Sequence, residues 1–220
     1  MKDRINTLLL GDAYKYTHWM QLPENTTKVV GYVESRGTHL NIPYTMVSGL
    51  QGFIKRYLRG KVIRSWMIKE AREILGEVFG TNKYFNEKGF RRLLKKHNGR
   101  LPLSIRAVRE GTKVPLRNAI LVIENTDDEF PWLTQWVETM LLRAIWYPNA
   151  VGTISSAVRE LEKKYAAICG CELNPFFLND FGARGVSSHE SAEIGGLAHL
   201  INYLGTDTME AVRYGKLMYG

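Results

Sequence analysis

Cysteine is scarce in this chain, with only Cys169 and Cys171 among 220 residues. One residue separates them. They are poorly placed for a structural bridge and too few for a metal site, so a reducing, cytoplasmic setting is expected. Long apolar runs are missing too. None approaches the length of a membrane span, and Leu8–Leu10 is far too short for a signal core, so no membrane partner is expected. Internal repeats and low-complexity tracts are absent, which sets aside solenoids and linker-type chains. Acidic residues run short, 22 against 30 Lys and Arg, leaving a net charge of +8. That balance favours anionic partners such as nucleic acid, anionic lipid or phosphorylated metabolites. Zinc-finger spacing, a basic zipper and RNA-binding aromatic signatures are all lacking, so no nucleic-acid partner is expected.

What is present is a core-forming composition, 45% hydrophobic and 11% aromatic, enough for one or two domains. The densest basic cluster, RRLLKKHNGR at 91–100, interleaves charge with Leu93 and Leu94 and reads as the solvated side of a helix ending near Gly99. Earlier, Asp12 is placed to cap a short helix ending before Pro23, with Tyr14 and His18 on one face. A strand over 28–36 delivers Glu34 and Arg36 to an exposed end. Asn25 opens a sequon, read as an ordinary turn. Helices are expected near 49–59, 65–79 with Ser65 as cap, 86–97, 131–146 with Pro131 in its first turn, and 155–168. Strands are expected near 103–108 and 119–124. A boundary is expected between 150 and 175, giving an α+β unit over 1–150 and an α/β segment over 151–220.

The most informative stretch runs from 180 to 208, DFGARGVSSHESAEIGGLAHLINYLGTDT. Phe176–Leu178 reads as a buried strand that exits at Asp180–Gly185, where glycines allow a sharp turn. Ser187 and Glu190 form a capping-box pattern, starting a helix near Ser188 whose apolar side is Ile194, Leu197, Ala198 and Ile201. Gly195 and Gly196 weaken that helix and mark close packing. A second short strand exits at Gly205–Thr208, with Thr208 capping a last helix to about Leu217. Parallel strands joined by helices gather their loops at one edge. Phe181, Arg184 and Asp207 are therefore expected together: an aromatic face, a cation that grips phosphate, and a carboxylate that accepts from an amide NH2. His199, set among apolar neighbours, is read as a satisfied core histidine. Asp-Phe-Gly also occurs as the magnesium motif of protein kinases, but no HRD loop, VAIK strand or APE element accompanies it.

With these segments in hand, the chain resembles the nicotinamide phosphoribosyltransferase family. GDAYKYTH, ENTTKVVGYVESR, GLQGFIKRYLRGKV, LPLSIRAVREGTKVP, ENTD, WLTQWVET and WYP all occur in the family's order, and DFGxRGVSS and GTDT are the most specific pieces. The resemblance covers the amino-terminal part of the family's chain. It implies a type II phosphoribosyltransferase: an α+β domain beside an irregular α/β barrel, of which the first strands and helices would lie here. It further implies a homodimer with shared active sites, or completion by a complementary C-terminal chain. The implied reaction joins nicotinamide to 5-phosphoribosyl 1-diphosphate for NAD salvage, with Mg2+ accompanying that donor and ATP as a second candidate cofactor.

Position by position, the resemblance implies that Phe181 stacks on the nicotinamide ring and that Tyr14 covers its other face from the partner subunit. Arg184 matches the arginine near the carboxamide and phosphate, Asp207 the acceptor of the amide nitrogen, and Arg36 an arginine reaching the diphosphate. Ala183 stands where animal members carry tyrosine, and His189 where glutamine is usual. The family's phosphorylatable histidine, further acidic residues and later lysines would fall beyond residue 220. Two alternatives stay open: a non-catalytic or binding fragment, and a nicotinate phosphoribosyltransferase, against which Asp207 argues.

Overall fold

The computed structural model describes residues 4–37 and 40–220. Its strands are β1 (Val30–Glu34), β2 (Tyr44–Met46), β3 (Leu103–Ala107), β4 (Lys113–Pro115) and β5 (Ala119–Asn125). They form a three-stranded sheet in the order β1-β5-β3 and an antiparallel pair, β2 with β4, in which Thr45 faces Val114. β5 takes the centre because its residues Ile120, Leu121, Ile123 and Asn125 are all buried. Asn125, fully buried, meets its polar needs locally. Its Oδ1 accepts from Val29 N at 2.8 Å, and its Nδ2 donates to Thr27 O and Asp127 O at 2.7 and 3.0 Å.

The helices are α1 (Leu50–Phe53), which continues as a wider π turn over Ile54–Leu58, α2 (Ser65–Phe79), α3 (Glu87–His97), α4 (Leu133–Trp136), α5 (Glu138–Cys169), α6 (His189–His199) and α7 (Met209–Met218). α2 and α3 match their expected spans. Ser65 is the first helical residue, however, and Arg64 holds the cap position. α3 starts on Asn86, whose side chain accepts from Gly89 N, and stops at left-handed Asn98 and Gly99. A side chain at Gly99 would meet Ile63 O at 2.1 Å, because Gly99 O accepts from both Val62 N and Ile63 N. Leu93 is buried while Arg91, Arg92, Lys95 and Lys96 face solvent, as the amphipathic reading of 91–100 requires.

The largest departure is α5. Helices expected at 131–146 and 155–168 are one helix from Glu138 to Cys169, with Pro148 and Gly152 inside it. Distant groups clamp it where the sequence invites a break: Asn149 Oδ1 accepts from Ser48 N, Thr153 Oγ1 accepts from Met46 N (both 2.8 Å), and Gly152 O accepts from Asn202 Nδ2 at 3.2 Å. Gly49, at φ +89, lets the chain lie against Pro148.

The chain divides into two compact units, each built from several stretches: Met1–Tyr32, Ile54–Arg106 and Leu121–Leu142 in one, Val33–Phe53, Ala107–Ile120 and Arg143–Gly220 in the other. The expected division at residue 150 falls inside α5. The first unit's core centres on Phe90, with Trp132 and Trp136 edge-on at 4.7 and 5.3 Å and Phe85 stacked at 5.6 Å. The second unit buries Met46, Val47, Leu50, Ile145, Ala198, Tyr203, Ala211 and Tyr214. The fold is mixed α/β with a partial sheet, and the described residues form no closed barrel. No helix among them is long and apolar enough to cross a membrane.

Candidate functional site

The candidate site lies where two exits of the second unit run side by side. Residues 176–178 are not a strand, and Phe176 and Phe177 are more than half exposed. Turn chemistry wins over an apolar triplet there: Asn174 Oδ1 accepts from Phe176 N at 2.9 Å, and Asn174 O accepts from Phe177 N at 3.2 Å. Asn174 is itself held. Its N–H donates to Glu162 at 3.2 Å and its carbonyl accepts from Arg159 at 2.8 Å, while Arg159 and Glu162 form a shielded pair.

What remains of the two expected strands is one parallel bridge, Asp180 with Thr206. Asp180 N donates to Gly205 O at 3.3 Å and Asp207 N to Asp180 O at 2.8 Å, so both segments leave in the same direction. The Asp180 side chain fastens the pair. Oδ1 accepts from Gly182 N at 2.8 Å, setting the turn after it, and Oδ2 accepts from Thr206 Oγ1 at 3.0 Å. Thr206 Oγ1 in turn accepts from Thr208 N at 3.0 Å at the entrance to α7. Thr208 occupies the cap position, but its own hydroxyl caps nothing.

His199 supports the second exit from beneath. It is buried, stacked on Tyr203 at 5.3 Å and 8°, and bonded at both ring nitrogens. Gly205 O, 3.0 Å from Nε2, can only accept, so Nε2 carries the hydrogen; Nδ1 then receives the Ser155 hydroxyl at 3.2 Å in the neutral ring. The core-histidine reading holds, and this histidine also fixes Gly205.

α6 begins at His189 with Ser188 as its cap, accepting from Ser191 N at 3.1 Å, one residue later than the expected Ser187 pairing. Its buried face follows the apolar pattern only in part, with Ala198 buried as expected and Ile194 and Leu197 half-buried. Ala192, Glu193, Gly195, Gly196, Ala198 and His199 are buried, whereas Ile201 is exposed beyond the helix end. The glycines explain this. A side chain at Gly195 would meet Tyr147 at 2.7 Å, and one at Gly196 would meet Ala211 at 2.6 Å and Asp180 Oδ2 at 2.9 Å. Burial, then the nearby Asp180 charge, pushes the Tyr147 phenol above its ordinary pKa.

Phe181 stands at the first exit with 56% of its surface exposed, Arg184 follows in a short 3-10 turn (Gly182–Gly185), and Asp207 is exposed at the second exit. Tyr14 belongs to the other unit, in a 3-10 turn (Ala13–Tyr16), 54% exposed and edge-on to His18 at 5.2 Å. Arg36 is exposed just beyond β1. Sequence reasoning missed Asp180 and Gly196 as the fastening of the two exits. The Asp-Phe-Gly order was its one local signal, since an Asp two residues before a Gly can accept that glycine's N–H.

Comparison with known proteins adds an independent line. Residues 6–105 match the family model "Nicotinamide phosphoribosyltransferase, N-terminal domain", and residues 176–218 match that of the nicotinate phosphoribosyltransferase (NAPRTase) family. A nicotinamide phosphoribosyltransferase of Xanthomonas campestris is 40% identical over 97% of this chain and 45% of its own length. That of Acinetobacter baylyi is 30% identical over 100% of this chain and 46% of its own length. The chain thus spans about half the length of the curated relatives it matches. The crystal structure of human nicotinic acid phosphoribosyltransferase shares the fold at TM-score 0.63, with 17% identity over 95% of this chain and 37% of that one. Over residues 6–105 the chain carries the N-terminal domain of the nicotinamide phosphoribosyltransferase family.

Proposed function

We propose that this chain contributes the base-binding half of an enzyme that transfers a phosphoribosyl group from 5-phosphoribosyl 1-diphosphate to nicotinamide, yielding nicotinamide mononucleotide and diphosphate. The observation that carries the reading is the Asp180–Thr206 bridge, which sends the Phe181 and Asp207 segments out together. In this reading Phe181 supplies a stacking face, Asp207 accepts from the carboxamide NH2, and Arg184 faces phosphate. Tyr14 closes the other ring face from a partner subunit and Arg36 reaches the diphosphate, so the working form is a homodimer or a complex with a complementary C-terminal chain. The surrounding fold is the start of an irregular type II phosphoribosyltransferase barrel.

The chemistry needs little from a general base. The pyridine nitrogen already carries a lone pair, and the barrier lies in parting diphosphate from a ribosyl carbon that turns cation-like. Positioning the ring and stabilising the departing charge are the tasks left for the protein. Magnesium would enter with the donor's diphosphate. Among the described residues no group of three or more His, Cys, Asp or Glu side chains gathers to hold a metal ion.

A second reading, transfer to nicotinate, is favoured by the family match over 176–218. Asp207 opposes it, because a carboxylate set against a second carboxylate at hydrogen-bonding range is strongly disfavoured. Diphosphate release by the assembled protein, measured with nicotinamide and with nicotinate, tests both. Release with nicotinamide alone is expected. Release only with nicotinate selects the second reading, and release with neither, in an assembly of confirmed mass, leaves a binding module.

A further inference from the structure

A four-residue 3-10 turn does not hold its own shape, since it has too few internal hydrogen bonds to offset the ordering of its backbone. The turn Ala13–Tyr16 nevertheless presents Tyr14 outward just ahead of two inward residues, Lys15 and Tyr16, each about 5% exposed. Tyr16 is anchored by its hydroxyl, which donates to Leu8 O at 2.6 Å. Lys15 is the unusual residue. Its side chain is only 3% exposed and borders a narrow aromatic recess that Trp19, Phe90, Trp132 and Trp136 also line. An ammonium in such a place needs an acid, and Glu138 supplies it from the first turn of α5, where the helix dipole also favours a carboxylate. Next to that pair Thr139 Oγ1 donates to Asp12 Oδ2 at 3.0 Å. The turn is therefore tied at both ends to consecutive residues of α5. The Lys15 ammonium also lies 5.0 Å from the centre of the Tyr14 ring, within cation–π range.

We propose that Lys15 is the positioning residue for Tyr14: its ion pair with Glu138 and its contact with the ring fix the direction in which Tyr14 is offered to a bound heterocycle. This rests on the reading of Tyr14 as one wall of the nicotinamide site. A lysine used only to fill space would be replaceable by an apolar side chain of equal length. One used to aim Tyr14 is not, because methionine keeps the packing and loses both the tie and the charge over the ring. Glu138, nearly half exposed, can turn to water when its partner is removed.

The test uses the full chain as wild type, Lys15→Met, Lys15→Arg and Tyr14→Ala, with two readouts. The first is the nuclear Overhauser contact between the Tyr14 and His18 rings, and the second is nicotinamide affinity by calorimetry. Lys15→Met is expected to lose the ring contact while its indole signals stay dispersed, and to weaken nicotinamide about five- to tenfold, as Tyr14→Ala does. Lys15→Arg, which keeps the charge, is expected to restore both. Loss of the ring contact with affinity unchanged in Lys15→Met and Tyr14→Ala alike would uphold the positioning role and refute the assignment of Tyr14 to the site. An intact ring contact in Lys15→Met would overturn the inference. Should Lys15→Met fail to fold, Glu138→Ala cuts the same tie from its exposed side and is read in the same way.

Discussion

The backbone N–H of Asp207 donates to the carbonyl of Asp180 at 2.8 Å, and through this contact two exits far apart in the chain leave the fold as neighbours. Phe181 follows one partner directly, and Asp207 is the other. The selectivity prediction follows from that adjacency. Asp207→Asn exchanges a pure acceptor for a group that also donates, so a nicotinate carboxylate no longer meets a like charge. The ratio of kcat/KM for nicotinate over nicotinamide should rise by about tenfold or more in the assembled enzyme, the scale of one removed charge conflict. An unchanged ratio would remove Asp207 from the amide contact.

Asp180 should matter to folding before it matters to chemistry. Removing its carboxylate in Asp180→Ala strips an acceptor from Gly182 N and from Thr206 Oγ1 together, at a cost of about 1–3 kcal/mol. Gly196→Ala presses a methyl toward Ala211 and that same carboxylate, with a similar loss from overpacking of about 1–3 kcal/mol. Urea unfolding measures both, and amide exchange at Gly182 and Asp207 should quicken in each variant. Two variants as stable as wild type would mean that the exits are held by something else.

Acid should weaken the first unit through one cluster. The Lys96 ammonium, then the Glu129 N–H at 3.0 Å, hold the Asp127 carboxyl well below the usual carboxylate range, with His97 bonded to the same group. A depressed acid stabilises the fold at pH values above its unfolded pKa, about 4, and that contribution fades as pH falls toward the folded value. Wild type should therefore lose more stability between pH 5 and pH 2, taken as approximate bounds, than Asp127→Asn. Parallel urea midpoints for the two proteins across that window would contradict this.

Alkali should act through Tyr16. Burial, partly offset by a backbone hydrogen bond and aided by the Asp12 charge, pushes its phenol up to about 12. The unfolded chain gives up this proton near pH 10, so the stabilisation is complete below that value and is lost as pH rises through 12. Difference absorbance at the phenolate band should show late-ionising tyrosines, one fewer of them in Tyr16→Phe. A titration with every phenol complete by pH 11, an approximate ceiling for exposed tyrosines, would contradict it.

Much of this was legible in the residues, for reasons that also explain the misses. α2 and α3 carry their own periodicity and α3 its own left-handed stop, so local pattern sufficed. α5 was divided because Pro148 and Gly152 are breakers in isolation, and the groups that overrule them, Met46, Ser48 and Asn202, sit far away in sequence. Residues 176–178 looked like a strand because three apolar residues fit that period, but Asn174 and Pro175 turn the chain first. In α6 hydrophobicity found Ala198 but not the rest of the buried face: close approach of Tyr147 and Ala211 selects glycine, which no apolar pattern registers. The pairing of the two exits was foreseen from strand–loop–helix alternation. Its fastening by Asp180 was not, since that depends on a side chain crossing to the other exit.

The central claim is that the Phe181, Arg184 and Asp207 exits receive a nicotinamide ring. It is tested most directly by titrating isotope-labelled chain with nicotinamide and following backbone amides. Saturable shifts are expected, concentrated at Gly182, Arg184 and Asp207, lost in Phe181→Ala and much smaller with nicotinate. Shifts absent from these positions, or equal for the two ligands, would contradict it.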